Sequence, residues 1–326
     1  MNSAPIVPAA LAFDAQGLQT AARSQARDDF LAGNELPQRW RGRDRFVVLD
    51  TGFGPGANFL ATWQAWRNDA QRCTRLVFIS IEQHPLSGDA LTEFHRASPL
   101  PMLAAELQRA WPPPTHNLHR LNFDDGAVEL LLAFGAVQDW LPELVAEIDA
   151  FFLGGCASGD HPQTWDARFC KAIGRLAAPG ATLASRSAPH ALRAHLASAG
   201  FNVQPAHDEV GRHDITLAHF APTFTPRRAV ARSRSTASND RHALIIGAGL
   251  AGCAAASALA GHGWRSTVLE RQALIASGAS GNLGGLFHGI VNAQDGVHAR
   301  FNRAAALSAH GAVKSALARG VAGNAN

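Results

Sequence analysis

The stretch that most constrains the fold is residues 46–60, FVVLDTGFGPGANFL, in which a short apolar run leads into a glycine-rich loop and a second apolar segment. Residues 46–49 have the continuous apolar character of a buried parallel strand. Gly52, Gly54 and Gly56 then recur at every second position, where the backbone can turn sharply and a ligand can approach closely. A loop of this kind, at the carboxyl end of a strand, is typical of ligand sites in open α/β sheets.

The spacing of the loop indicates which nucleotide-type ligand it holds. It is looser than a phosphate-binding loop and no Lys-Ser or Lys-Thr pair follows it, which disfavours a nucleoside triphosphate. S-adenosylmethionine, which has a ribose and no phosphate, fits better. A second buried strand over residues 76–81 ends in Glu82, where a carboxylate can accept both ribose hydroxyls. Two plainer interpretations stay open, namely a loop without a ligand and a Glu82 that only caps the next turn.

Length and composition indicate two domains in a mildly basic chain. The 326 residues exceed what one hydrophobic core usually holds, and 47% of them are hydrophobic. A net charge of +3, with 29 basic against 26 acidic residues, permits nucleic-acid binding without requiring it. The four cysteines show no CxxC spacing, so no zinc ribbon or other metal site is predicted, and a reducing cytoplasm is favoured. Neither a signal peptide nor a membrane span is predicted, since the apolar run 243–260 contains three glycines in its middle.

Segments of strand and helix character alternate from residue 46 to residue 220. Further strands are predicted at residues 119–123, 128–134, 148–153, 182–185 and 215–220, and helices at 59–67, 101–111, 167–176 and 188–199. Asp125-Gly126 between two apolar runs predicts a hairpin, and Pro179-Gly180 is expected to separate a helix from the strand after it. The alternation predicts a Rossmann-like doubly wound α/β sheet with the order of a methyltransferase.

A second nucleotide-binding pattern follows a linker rich in Arg, Ser, Thr and Pro at residues 223–241. Gly247, Gly249 and Gly252 fit the GxGxxG spacing between a strand and a small-residue helix, and the next strand ends in Glu270, 23 positions after Gly247. This is the dinucleotide fingerprint, with the pyrophosphate expected at the helix N-terminus and Glu270 on a ribose. The pattern predicts the start of a βαβ domain that binds FAD or NAD.

Taken together, several segments resemble one known family. They are FLAGNELPQRW, DTGFGPGANFL, FISIEQHPL, DAFFL, RLAAPGATLAS, IIGAGLAGCAAASALAGHGW and SGASGNLGGLFHGIVN. In this order they closely resemble the bifunctional tRNA 5-methylaminomethyl-2-thiouridine biosynthesis proteins, in which a methyltransferase fold precedes a flavoprotein fold. The resemblance implies a lead-in over residues 1–29, a methyltransferase domain over 30–222, the linker 223–241, and a truncated FAD-binding domain over 242–326.

The resemblance also implies two activities on the wobble uridine of tRNA. In the family, the FAD-dependent domain converts a carboxymethylaminomethyl group to an aminomethyl group, and the other domain methylates that amine from S-adenosylmethionine. The residues that the resemblance places at the methyl donor are Gly52, Phe53, Gly54, Gly56, Asn58, Glu82 and Gly135. Those that it places at FAD are Gly247, Gly249, Gly252, Glu270, Ala279, Ser280, Gly281 and Asn282, with Gly284 and Gly285 approaching the isoalloxazine. A tRNA partner and a cytoplasmic location are implied, the oligomeric state is open, and a monomer is favoured.

The chain departs from the family pattern at three places. The family has DGFAP after the strand that ends at Leu153, whereas this chain has GGCAS, so Gly154 stands where the family has a catalytic Asp. The family's FGD is here Phe-Gly-Ala, with Ala136 in place of the acid, and the flavin domain is cut short. Asp160 is a weak candidate to replace the lost carboxylate, and His161 is a second one, for which a surface position is the plainer interpretation.

Three hypotheses follow from the sequence. The first is a working methyltransferase domain with a partial flavin domain, and the second is a degenerate, inactive fragment that binds only S-adenosylmethionine or tRNA. The third, a generic oxidoreductase with FAD or NAD and an unrelated leader, is disfavoured by the amino-terminal motifs. Little bound FAD is expected, because the second domain lacks much of the structure that encloses the cofactor.

Overall fold

The computed structural model describes residues 30–154, 165–186, 190–207, 214–223, 241–282, 284–285 and 288–321. The described parts of Met1–Thr223 and Gly289–Asn326 form one compact unit, and those of Phe224–His288 form a second. Residues 289–321 therefore cluster with the first unit, whereas the sequence analysis assigned them to the second domain. The domain boundaries of the sequence analysis stay predictions.

Eight strands of the first unit form one mixed sheet. They are β1 (Arg45–Asp50), β2 (Arg75–Glu82), β3 (Leu118–Phe123), β4 (Val128–Phe134), β5 (Ile148–Leu153), β6 (Ala177–Arg186), β7 (Phe201–His207) and β8 (Asp214–Phe220). Their order across the sheet is β3-β4-β2-β1-β5-β6-β8-β7, with β4, β2, β1, β5 and β6 parallel. The strands outside these five pair antiparallel to their neighbours. This confirms the predicted doubly wound sheet, including the hairpin between β3 and β4.

The helices connect the strands, and several begin at residues that are typical of helix N-termini. They are α1 (Ala57–Asn68), α2 (Gly88–His95), α3 (Pro101–Ala110), α4 (Val137–Glu143), α5 (Ala167–Leu176), α6 (His190–Ser198), α7 (Leu250–Gly261) and α8 (Val297–Ala318). Ser87 and Asp166 cap α2 and α5, each accepting a hydrogen bond from an N–H of the first turn. Pro101 begins α3, at a position where its missing N–H costs nothing. No helix in the described ranges has both the length and the apolar character needed to cross a membrane.

The central strands are buried because apolar side chains pack on both faces of the sheet. On one face Phe59 contacts Phe78 edge to face, with ring centroids 5.4 Å apart, and lies 5.4 Å from Trp63. On the other face Leu49 and Phe151 belong to a second apolar cluster. Strands covered on both faces have continuous apolar sequences, and this is why β1, β2 and β5 were predictable.

The outer part of the sheet differs from the sequence analysis in two places. Pro179 and Gly180 do not separate α5 from a short strand at 182–185, because β6 begins at Ala177 directly after the helix. The strand accommodates the pair through a register shift against β5. Strand β7 was not predicted and contains Pro205, which is tolerated because β7 lies at the edge of the sheet.

The second unit has the predicted βαβ arrangement. Its strands β9 (His242–Ile246) and β10 (Arg265–Leu269) pair in parallel, with α7 between them in the chain. The start of a dinucleotide-binding domain is thereby confirmed.

Gly174 in α5 provides a test of how closely the helices pack. A Cβ at this position would lie 2.6 Å from the carbonyl oxygen of Ala199, a backbone atom that cannot move aside cheaply. We expect Gly174→Ala to lower the free energy of unfolding by about 1–3 kcal/mol, the usual cost of overpacking. Denaturant unfolding followed by tryptophan fluorescence measures this. The matched control is Gly88→Ala in α2, where a Cβ would meet no described atom within 4 Å. Equal stability of the two variants would contradict the prediction.

Candidate functional site

The candidate site lies where the order of the strands reverses. Strand β1 has β2 on one side and β5 on the other, and all three run in parallel. Open α/β sheets bind ligands in the crevice at the carboxyl ends of the strands at such a point. Asp50 ends β1, Glu82 ends β2, and Gly135 and Gly154 directly follow β4 and β5. The topology therefore brings these four residues to one edge of the sheet.

The glycine-rich loop after β1 turns through two left-handed residues. Gly54 and Gly56 have φ values of +51° and +85°, a region that glycine occupies without strain. A Cβ on Gly56 would lie 2.8 Å from the ring of Phe53, which leaves no room for a side chain there. Phe53 itself is buried and stacks on Trp111 with ring centroids 5.6 Å apart. Its ring therefore anchors the loop to the core, while the backbone of the loop lies toward the site.

Glu82 holds this loop with its carboxylate. Oε2 accepts a hydrogen bond from the N–H of Gly54 at 2.7 Å, and Oε1 accepts one from the N–H of His84 at 2.8 Å. The side chain is half-buried, so it combines fixed geometry with access from solvent. A carboxylate with two oxygens placed in this way can accept hydrogen bonds from the two hydroxyls of a ribose. The structure thus brings Gly54 and Glu82 together, as the sequence suggested.

Asp50, which the sequence analysis missed, is the buried carboxyl group of the site. It is fully buried at the end of β1, where the Gly52 N–H and the Ser80 hydroxyl each donate to it at 3.4 Å. Burial raises its pKa to about 8, although hydrogen bonds from Gly52, Asn58 and Ser80 act in the opposite direction. At neutral pH Asp50 is therefore mainly a neutral carboxylic acid. An acidic residue directly before the glycine-rich loop was the signal that could have found it.

Gly154, where the resemblance implies that the family has an acid, lies beside Asp50. A Cβ on Gly154 would be 3.8 Å from Oδ1 of Asp50, 3.8 Å from the amide nitrogen of Asn58 and 3.5 Å from the ring of Phe30. These are ordinary van der Waals distances, so a side chain could begin here without displacing its neighbours. The Thr51 hydroxyl donates to the carbonyl oxygen of Gly154 at 3.0 Å and fixes the start of the loop. Asp160 and His161, the two candidates to replace a lost acid, lie outside the described residues.

The loop after β4 is covered by two aromatic rings. Gly135 has a φ of +144°, and a Cβ there would lie 2.6 Å from Nε2 of His116 and 2.8 Å from Nε1 of Trp140. Only glycine fits under these rings. The N–H of Gly135 donates to the carbonyl oxygen of Glu82 at 2.9 Å, which ties the end of β4 to the end of β2. Ala136, where the resemblance implies that the family has an acid, precedes the first residue of α4.

The glycine loop of the second unit is held in the same way as the first. Oε2 of Glu270 accepts a hydrogen bond from the N–H of Ala248 at 2.7 Å, and Oε1 accepts one from the N–H of Gln272 at 2.9 Å. The N–H groups of Gln272 and Ala248 hold the pKa of Glu270 below its ordinary value. An acidic residue at the end of the second strand thus binds a loop N–H in both units.

Some of the predicted FAD-binding residues that follow later in the chain lie next to this loop. The Ser280 hydroxyl accepts a hydrogen bond from the N–H of Leu250 at 3.1 Å, and a Cβ on Gly249 would lie 2.8 Å from it. A Cβ on Gly252 would be 1.9 Å from the carbonyl oxygen of Gly247, so α7 can approach the loop only with glycine there. Ala279 and Gly281 form a short 3-10 turn with Ser280, and Asn282 follows it. The roles of these residues stay predictions, as do those of Gly284 and Gly285.

Burial disfavours a reactive thiol at two of the described cysteines. Cys73, Cys170 and Cys253 are free, and burial raises the pKa of Cys73 to about 11 and that of Cys170 to about 12. Among the described residues, no group of three or more His, Cys, Asp or Glu side chains is placed to hold a metal ion. The first unit therefore offers carboxyl groups, an amide side chain and loop N–H groups.

Two family models match the chain. Residues 99–220 match an S-adenosyl-L-methionine-dependent methyltransferase, and residues 242–320 match an FAD dependent oxidoreductase. The first match begins after the glycine-rich loop and Glu82, so it covers β3 to β8 and leaves the loop outside. The two cofactors of these families are the two that the sequence analysis predicted.

Two bifunctional relatives decide the family. The tRNA 5-methylaminomethyl-2-thiouridine biosynthesis bifunctional protein MnmC of Methylibium petroleiphilum is 50% identical over 320 residues, which cover 94% of this chain. The protein with the same name in Cupriavidus metallidurans is 44% identical over 299 residues, or 90% of this chain. The chain belongs to the family of MnmC bifunctional proteins. It spans about half the length of these relatives, 49% and 44% respectively.

Membership in the MnmC family confirms the resemblance that the motifs carried. The hypothesis of a generic oxidoreductase with an unrelated leader is not favoured, because the matches to both relatives extend through the amino-terminal unit. A solved structure of MnmC2 from Aquifex aeolicus is also similar, with a TM-score of 0.49, 19% identity and 64% of each chain covered.

A substitution of Glu82 provides the first test of the methyl-donor site. We expect Glu82→Gln to weaken the binding of S-adenosylhomocysteine about 10-fold or more, because an amide offers only one acceptor atom and no charge to two hydroxyls. Isothermal titration calorimetry with the full chain measures this. The control is Glu93→Gln, since Glu93 is exposed and, among the described residues, forms an ion pair with Arg96 three positions along the chain. An unchanged affinity in Glu82→Gln would contradict a ribose contact.

The raised pKa of Asp50 makes the free energy of unfolding depend on pH. Its pKa in the folded chain, about 8, lies above its ordinary value of 3.8, so folding takes up a proton between these values. This contribution to stability is full below the ordinary pKa and is lost as the pH rises through 8. Asp50→Asn has no such titration. We therefore expect the free energy of unfolding of Asp50→Asn, relative to the wild type, to rise from pH 5 to pH 9. A difference that stays flat over this range, in parallel denaturant titrations, would contradict the raised pKa.

Proposed function

We propose that the first unit catalyses the N-methylation of an aminomethyl group on the wobble uridine of tRNA, using S-adenosylmethionine. The product would be the 5-methylaminomethyl-2-thiouridine that the relatives are named for. The second unit would be the beginning of the FAD-dependent domain that converts carboxymethylaminomethyl to aminomethyl. The observation that carries the proposal is the hydrogen bond between Glu82 and the Gly54 N–H, at the point where the order of the strands reverses.

The residues at this edge of the sheet suit the methyl donor. Glu82 would accept the two ribose hydroxyls, and the positive φ values of Gly54 and Gly56 keep the loop free of side chains where the ligand approaches. Gly135 and the rings over it would form the wall on the adenine side. The loop has no lysine or arginine that would call for a phosphate. When bound, the donor supplies a methyl group on a positively charged sulfur.

Methyl transfer requires the protein to position the amine and to remove a proton from it. The amine must be neutral, because an ammonium has no lone pair, and the product sheds a proton as the new N–C bond forms. No carboxylate stands at Gly154 to orient the amine. Among the described residues, the nearest carboxyl is that of Asp50, with Oδ1 3.8 Å from where a Cβ on Gly154 would lie. Since Asp50 is mainly protonated at neutral pH, it is a poor proton acceptor there, and we expect slow transfer by this chain.

The proposal also covers the substrate, the cellular location and the second cofactor. Both relatives carry tRNA modification in their names, and the chain's mild positive charge of +3 suits a polyanionic partner. A tRNA substrate places the protein in the cytoplasm. FAD is the cofactor proposed for the second unit, on the strength of Glu270 and its bond to the Ala248 N–H.

A second candidate function is donor binding without methyl transfer. The loss of two family acids, at Gly154 and Ala136, favours it, while the intact pair of Glu82 and Gly54 retains the means to bind. Binding and transfer are measured separately, so the two candidates can be told apart.

Gly154→Asp tests the proposed reaction. The new carboxylate has room beside Asn58 and Phe30, and we expect it to raise methyl transfer to tRNA that carries aminomethyluridine about 10²-fold or more, as a positioned base does. The assay follows labelled methyl groups from S-adenosylmethionine into tRNA. Gly154→Asn has nearly the same shape without the charge and serves as the control.

The outcomes of this assay separate the candidates. Transfer by the wild type, raised further in Gly154→Asp but not in Gly154→Asn, supports the proposal. Silence in every variant, together with tight binding of S-adenosylhomocysteine, would support donor binding alone.

A further inference from the structure

Arg303, on α8, links the end of the chain to the methyltransferase sheet. Its Nη1 and Nη2 donate to Oδ1 and Oδ2 of Asp295 at 2.8 and 3.1 Å, and Nη2 also donates to the carbonyl oxygen of His116 at 2.8 Å. Only 17% of the Arg303 side chain is exposed. Asp295 and Arg303 belong to the stretch that matches the oxidoreductase model, and His116 belongs to the methyltransferase match. One buried guanidinium therefore joins segments from the two halves of the family within one compact unit.

His116 continues this link toward the methyl-donor site. Its ring lies over Gly135, where a Cβ would be 2.6 Å from Nε2, and its centroid is 5.7 Å from that of Trp140. The Gly135 N–H donates to the carbonyl oxygen of Glu82 at 2.9 Å. The carboxylate of Glu82 in turn holds the glycine-rich loop. Arg303 is thus linked to the backbone of Glu82 through the His116 carbonyl, the His116 ring and Gly135.

The charges of this cluster keep it fixed. Hydrogen bonds from Arg303 hold the pKa of Asp295 below its ordinary value, so the pair stays ionised at neutral pH. Burial, together with the charge of Arg300, lowers the pKa of His116, so its ring is neutral above Gly135. A bidentate pair between a guanidinium and a carboxylate has one preferred geometry, which sets the position of the His116 carbonyl.

The junction also carries unsatisfied polar atoms. Among the described residues, Nδ1 of His116, Nδ2 of Asn117 and Nε of both Arg300 and Arg303 are buried without a hydrogen-bond partner. Such groups cost stability, and apolar residues of similar size would avoid the cost.

We propose that Arg303 is a positioning residue for the methyl-donor site, through which the oxidoreductase-type segment at 289–321 raises the affinity for S-adenosylmethionine. The inference rests on the proposed function of the first unit. Arg303 and Asp295 fix the His116 carbonyl, the His116 ring covers Gly135, and Gly135 holds the end of β2 that carries Glu82. A chain of contacts is not by itself energetic coupling, so the claim is about a coupling that a mutant cycle measures. Because coupling is reciprocal, methyl-donor binding also stabilises the packing of α8.

The test measures binding of S-adenosylhomocysteine to the full chain by isothermal titration calorimetry. The variants are Arg303→Gln, His116→Ala and the double variant, with Arg319→Gln as the matched control. Arg319 is an exposed arginine of the same helix region whose Nε donates only to the carbonyl of Ser315 among the described residues. We expect Kd to rise about 10-fold in Arg303→Gln, a difference of about 1.4 kcal/mol. We expect no change in Arg319→Gln, and no further loss in the double variant beyond the weaker single one.

Each result decides the inference. An unchanged Kd in Arg303→Gln, or losses that simply add in the double variant, would overturn it while leaving the proposed function in place. A lower melting temperature with an unchanged Kd would show a merely structural role and overturn it as well. Absence of binding by the wild type would overturn the proposed function, and the inference with it. If Arg303→Gln does not fold, Arg303→Lys, which keeps the charge and one donor, takes its place, and a Kd equal to that of the wild type then counts against coupling.

Discussion

A hydrogen bond from the glycine-rich loop to an acidic residue at the end of the next strand sets the geometry of both candidate sites. In the first unit it joins Gly54 to Glu82, and in the second it joins Ala248 to Glu270, each at 2.7 Å. The bond holds a loop that contains positive-φ glycine close to a carboxylate whose two oxygens match a ribose. The two units therefore share one arrangement of loop and carboxylate, although one match is to a methyltransferase and the other to an FAD dependent oxidoreductase.

The buried carboxyl of Asp50 shows what the change at Gly154 does to the chemistry. Two carboxyl groups a few ångströms apart resist joint ionisation, so a second acid at 154 would share its titration with Asp50. With glycine there, Asp50 meets only neutral hydrogen-bond donors and the more distant charge of Glu82, and it is kept mainly neutral by burial. If the family has an acid at this position, as the resemblance implies, Gly154 removes an acceptor of protons and leaves the proposed donor-binding residues in place. Binding and catalysis would then be separable.

The sequence predicted the parts of the fold that depend on local pattern. Strands β1, β2 and β5, the hairpin of β3 and β4, and both glycine loops follow from apolar runs and glycine spacing. Strand β7 escaped prediction because an edge strand with Pro205 has no such pattern, and β6 began early because its register shift depends on β5. Asp50 was missed because its raised pKa depends on burial by the folded chain, which one sequence does not show. The bond from Arg303 to His116 joins residues 187 positions apart, which one sequence cannot foresee.

The position of α8 bears on where the methyltransferase domain of such a protein ends. The family match for methyltransferases ends at residue 220, but residues 289–321 cluster with that unit and contribute Asp295 and Arg303 to it. If Arg303 positions His116 over Gly135, as we propose, the wall on the adenine side is completed by a segment from the other half of the family. A boundary drawn from sequence matches would then divide one functional site. The oxidoreductase half would act on methyl transfer through its folded presence, in addition to any supply of substrate.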